Sequence, residues 1–114
     1  MTVAAHIYRV VGDVTGDPQV SERMSQFYKT GAISVIFRDA NGDVVQPTAG
    51  TIRFDGSETS EQWGLIGEID ATEAGPDSTY VRLNFGGFVD FVRVTPTGIT
   101  GAETFDVKIQ RFET

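Results

Sequence analysis

Residues 79–95 read Thr79-Tyr80-Val81-Arg82-Leu83-Asn84-Phe85-Gly86-Gly87-Phe88-Val89-Asp90-Phe91-Val92-Arg93-Val94-Thr95. Thr79 to Phe85 alternates apolar and polar residues with period two, and Phe88 to Thr95 does so again after Gly86-Gly87. A two-residue type I′ hairpin needs positive φ at both central positions, which a Gly-Gly pair supplies without steric cost. Further on, Thr104 to Phe112 alternates cleanly, with Phe105, Val107 and Ile109 on one face and Asp106, Lys108 and Gln110 on the other. The three runs predict a C-terminal meander and set the class as antiparallel β.

With Gly86-Gly87 as the turn, position 85 faces 88, 83 faces 90 and 81 faces 92. Val81, Leu83, Phe85, Phe88, Val92 and Val94 then share a core face with Phe105, Val107 and Ile109. The opposite face carries Tyr80, Arg82, Val89, Phe91 and Arg93, with Phe91 across from Arg82 and Tyr80 across from Arg93. Aromatic rings interleaved with guanidinium groups are the composition of a protein–protein contact, and these five residues are the expected partner interface. A covering arm or second sheet over the same face is the structural alternative, and the pattern leaves both open.

Working outward, turn signals divide the remainder into short strands. Thr2 to Val11 reads as a first strand. Residues 12–31 form a long loop or short-helix arm, punctuated by Gly12-Asp13, Gly16-Asp17-Pro18 and Thr30-Gly31. Within that arm Val20, Met24, Phe27 and Tyr28 have the spacing of one helical face, with Ser21 as a cap. Ala32 to Asp39 alternates strongly, Asn41-Gly42 is a hairpin signal, and Pro47 ends the return through Val44-Val45. Gly50 to Phe54 and Trp63 to Ile69 are further strands around a polar turn, and Ala71 to Ser78 is loop. Seven or eight short strands in one domain of 114 residues close most naturally as an antiparallel β-sandwich, jelly-roll-like.

Composition narrows the function. The formal charge of −7 argues against sequence-independent nucleic-acid binding and against attraction to anionic membranes. The absence of Cys excludes disulfides, thiolate catalysis and Cys-based zinc sites. No apolar run approaches 18 residues and no signal-peptide core follows Met1, so the expectation is a protein that starts inside a cell and carries no export signal of the usual kind.

The candidate chemical sites are weak. Asp39, Asn41 and Asp43 have the spacing that opens a calcium loop, but Val44 stands where Gly is needed and Gly50 where the bidentate Glu should be; turn chemistry accounts for them better. Glu58, Glu61, Glu68, Asp70 and Glu73 gather around Trp63, a pattern open to a sugar site or to a solvated acidic loop with Trp63 as a core anchor. His6 is the single histidine, and no Ser has an activating base in evidence. No metal, cofactor or catalytic residue is assigned, and the chain reads as non-enzymatic.

From about Gly50 to Phe112 the chain resembles small β-sandwich structural proteins of tailed bacteriophages. The resemblance lies in Gly50-Thr51-Ile52-Arg53-Phe54, the polar turn before Trp63-Gly64, Tyr80, Phe91-Val92-Arg93-Val94, and Gly98 to Ala102 leading into Phe105 to Phe112. It implies a virion protein: capsid decoration or cement, head fibre, or tail and baseplate part. The implied partners are copies of the chain itself, as a homo-oligomer, and a major capsid or other virion protein. A carbohydrate-binding module of a fibre or spike is the alternative.

Overall fold

Two antiparallel sheets enclose one apolar layer in the computed structural model, which describes residues 5–24, 30–74, 81–87 and 89–112. In the first sheet β1 (Ala5–Asp13) pairs with the last strand, β9 (Thr104–Phe112), which pairs in turn with β3 (Thr30–Arg38). The far side of β3 is shared: β7 (Val81–Gly86) lies along its first half and the two-residue β4 (Val44–Val45) along its end. The second sheet runs β2 (Gln19–Val20), β8 (Phe91–Thr100), β5 (Ala49–Ser57), β6 (Gly64–Asp70). With β4 set aside, the orders 1-9-3-7 and 2-8-5-6 are the two sheets of a jelly roll. The expected sandwich class is therefore the observed one, with nine strands among the described residues.

Alternation builds the core. Ile33, Val35 and Phe37 of β3, Phe105, Val107 and Ile109 of β9, Ile52 and Phe54 of β5, and Val92 and Val94 of β8 are all buried between the sheets. At about 1.5–3 kcal/mol for each fully buried aliphatic or aromatic side chain, this layer dominates stability. One close approach requires glycine: Gly50 has φ +105°, and a Cβ there would stand 2.5 Å from the Ile99 Cα.

The meander is corrected by this topology. β7 pairs with β3 and β8 pairs with β5 and β2, so Gly86-Gly87 is not a hairpin turn but the start of a crossing between sheets. Only Gly87 has positive φ, at +99°, whereas type I′ needs both. β8 and β9 likewise sit in opposite sheets. Non-local pairing prevails because it buries more. On β3, Phe85 lies against Gly31, which has no side chain to obstruct the ring, and Leu83 lies beside Ile33. The crossing is then pinned by Asp90 N–H donating to the Ser57 carbonyl at 3.0 Å and Met24 N–H to the Asp90 carbonyl at 2.7 Å.

The arm also differs from a helix where it is described. Val20 belongs to β2, and Ser21 to Met24 continue along the edge of β8. Ser21 caps no helix: its N–H donates to the Val92 carbonyl and its hydroxyl accepts from the Val92 N–H. Phe27 and Tyr28 lie outside the described residues. The Asn41-Gly42 turn is a hairpin as expected, with three residues inside the Asp39–Asp43 pair: Asp39 N–H donates to the Asp43 carbonyl, and Gly42, at φ +86°, closes the turn with its N–H on the Asp39 carbonyl.

Candidate interaction face

The outer face of the second sheet gathers aromatic, aliphatic and guanidinium groups. Since Val92 and Val94 of β8 point inward, Phe91, Arg93 and Thr95 point outward; on β5 the outward set is Arg53, Asp55 and Ser57. A bulge at Ile66 in β6 resets its register, so that Leu65 rather than Ile66 lies beside Asp55. One row across the sheet therefore reads Val20, Arg93, Asp55, Leu65, with an ion pair at its centre and apolar ends. Leu65 is 61 % exposed.

Asp55 organises the face. Its side chain is only 3 % exposed although it points away from the core, because Arg53 and Arg93 cover it. Arg53 Nε donates to Oδ1 at 3.1 Å, and Arg93 Nη2 lies 3.5 Å from Oδ2. The Arg93 guanidinium also sits 4.6 Å from the Trp63 ring centroid, a cation–π contact. Arg93 Nε is buried with no hydrogen-bond partner among the described residues. Trp63 is delivered by a turn held on hydroxyls: Ser57 Oγ accepts from Thr59 and Ser60 N–H, and Thr59 Oγ1 from Glu61 and Gln62 N–H. Trp63 is thus outside the core cluster, half-buried under Arg93.

Of the five expected interface residues, Phe91 and Arg93 share this face. Arg82 is exposed on the other sheet, opposite Ser34, so the Phe91–Arg82 pair does not form. Val89 turns toward the core and packs against it, its methyl groups beside Gly56. Tyr80 lies outside the described residues; the cross-strand neighbours of Arg93 are Asp55 and Val20. Arg53 and Asp55 share this face because β5 runs to Ser57, three residues past the expected Gly50–Phe54 strand and into the expected polar turn, which sets Asp55 two residues along from Arg53.

The remaining polar groups have structural work. Asp39 Oδ1 accepts from the Asn41 and Asp43 N–H groups, as turn chemistry requires. Asp70 Oδ1 accepts from the Thr72 hydroxyl and N–H at the start of a short 3₁₀ turn, bonds that hold its carboxyl below the ordinary aspartate value. Arg111, in phase with Ile109 on β9, is wholly buried with its guanidinium 4.9 Å from the Phe85 centroid and a bond to the Gly87 carbonyl. Burial pushes its pKa down, while Tyr8 and Asp90 raise it. Among the described residues no three His, Asp or Glu side chains are placed to hold a metal ion, and no helix is long and apolar enough to cross a membrane.

Residues 17–114 match the family described as a domain of unknown function, DUF7265. The chain belongs to that family. The match takes in β2 to β9 and leaves β1 outside it. No curated protein sequence matches. Among solved structures, the chain resembles the K1 cleaved adhesin domain of Lys-gingipain from Porphyromonas gingivalis W83, at TM-score 0.57 and 12 % identity, covering 93 % of this chain and 73 % of that one. A Bacillus endospore appendage subunit, from disulfide-linked pili, aligns at TM-score 0.55 and 11 % identity over 99 % and 88 % of the two chains. A chain of the cyanophage Pam1 capsid asymmetric unit aligns at TM-score 0.52 and 13 % identity over 98 % and 85 %. At these identities the likeness is one of fold.

Proposed function

We propose that this DUF7265 protein is a non-enzymatic structural component of a phage particle, a decoration or cement protein that binds the capsid shell and associates with its own copies. The observation that carries the reading is the Phe91/Arg93 face. Charges that would ordinarily keep a sheet surface solvated are turned on one another there, Arg53 and Arg93 on a buried Asp55, which leaves Phe91, Leu65 and Val20 beside them for a protein partner. Aromatic and Arg groups in that setting are the ones that dominate contact energies. The jelly roll shared with a capsid chain and a pilus subunit is consistent with a building block of assemblies. Each contact can be weak, since repetition around a particle raises effective concentration.

The test is binding of purified chain to shells lacking it, followed by co-sedimentation. Phe91→Ser is expected to abolish binding while leaving the thermal transition within a few degrees of wild type, since Phe91 points out of the core. Shell binding at wild-type level by a folded Phe91→Ser protein discards the face.

A second reading rests on Trp63, which stands at the surface as a sugar-binding ring would. Arg93 occupies one of its faces, so a sugar would stack on the other. Quenching of the single Trp by a glycan panel favours that reading; silence favours the structural role.

A further inference from the structure

An unpaired strand edge is a template for another strand unless something blunts it. Most edges here are blunted. β2 is two residues long, and β4 is two residues followed by Pro47. β6 is bulged at Ile66 and presents Glu68 and Asp70. β7 presents Arg82 and Asn84 over six residues. β1 is different: nine residues, free of Pro and bulges, in unbroken register with β9. Among the described residues no strand pairs with its other side, and Ile7 and Val11 are 50 % and 59 % exposed on its outer face.

We propose that β1 is the self-association edge: two copies pair their β1 strands antiparallel about a two-fold axis at Arg9, making one continuous sheet across a dimer. This deepens the self-association part of the function proposed above and is independent of shell binding. The second copy is the fitting occupant because a two-fold demands self-complementarity, and β1 has it. With residue i opposite residue 18 − i, Ile7 meets Val11 of the second copy on the outer face, twice, and Tyr8 meets Val10 on the inner one. Both exposed aliphatics are thereby covered, and the N–H and C=O groups that alternate residues of β1 turn away from β9 find backbone partners. The one cost is Arg9 beside its own copy. Asp106, on β9 and 3.1 Å from the Arg9 guanidinium, draws that charge back over the sheet and away from the edge.

The experiment exploits a chain without cysteine. Arg9→Cys, oxidised mildly, should give a covalent dimer, whereas Val11→Cys alone should not, because its opposite residue is Ile7; a mixture of Ile7→Cys and Val11→Cys should cross-link. In sedimentation equilibrium, Ile7→Lys/Val11→Lys should weaken dimerisation by about tenfold or more, with an unchanged thermal transition at concentrations low enough for the wild type to be monomeric, where both side chains face solvent. A wild-type chain that stays monomeric at its solubility limit overturns the proposal. So does a cross-linking pattern in which Val11→Cys dimerises alone and Arg9→Cys does not. Because these readouts use the isolated chain, their failure is distinguishable from failure of the shell-binding face, which Phe91→Ser addresses on particles.

Discussion

The outer faces of the two sheets follow the same period-two alternation and reach opposite results. On the first sheet, Arg9 meets Asp106 in the open, and neighbouring Lys108, Gln110 and Arg82 extend over small Ala32 and Ser34. The charges there solvate the sheet. On the second, Asp55 is drawn beneath two guanidinium groups and Arg93 is braced against Trp63. Here ion pairing fixes side-chain positions instead of wetting the surface, so the groups of this face are ordered in the chain by itself. An ion pair's meaning is set by its burial, not by its distance: both faces hold one at 3.1 Å.

The sharpest way to break that comparison is to remove each acid. Asp55→Ala strands two Arg side chains over an emptied site and should cost about 2–3 kcal/mol, toward the low end for a buried pair because the Arg partners are themselves part-exposed. Urea titration of the folded chain reads this directly. Next in size is Arg93→Lys, which keeps the charge but loses the fork that reaches Asp55 and Trp63 together; about 1 kcal/mol should be lost, with a change in Trp63 fluorescence that Arg53→Lys does not produce. Smaller again is Asp106→Ala on the first sheet, expected below about 0.5 kcal/mol and vanishing in 1 M salt, where the screening length is about 3 Å. Equal costs for Asp55→Ala and Asp106→Ala in high salt would erase the distinction between the faces.

Parity was legible in the chain and partnership was not. The inward places of Val92, Val94, Phe105, Val107 and Ile109, and the outward places of Phe91 and Arg93, follow from alternation alone and agree with the structure. Which strand lies beside which is decided by burial summed over the whole sandwich. A Gly-Gly pair that suits a two-residue turn was therefore overridden by Leu83 and Phe85 finding places on β3. Two differences of detail follow from that one. Arg82, expected beside Phe91, faces solvent on the other sheet, and Val89, expected outward, is turned in by the crossing. Asp55 falls in the expected polar turn, where a carboxylate is solvated; in the structure β5 continues to Ser57, and Arg53 of the same strand and Arg93 across from it cover the carboxylate. Its burial is a property of register.

Within the second sheet the contrast can be tightened by pH, using a carboxylate at the rim. Asp70 lies at the end of β6 in full contact with solvent, and its pKa is lowered by the Thr72 hydroxyl and then by the Thr72 N–H. A folded value below the unfolded one means that the ionised form stabilises the turn. That contribution is fully present above the ordinary aspartate pKa of about 3.9 and is lost as pH falls through the lowered folded value. The stability difference between wild type and Asp70→Ala should hence be constant through neutral pH and shrink on acidification, with Thr72→Val closing most of the same gap. Its size should be the smallest of the set, since water competes for every bond that Asp70 makes. Denaturation series at stepped pH measure it. A difference that persists undiminished into strong acid would mean that Asp70 holds the 3₁₀ turn by shape rather than by charge. Exposure would then not separate it from Asp55 in the way the two faces imply.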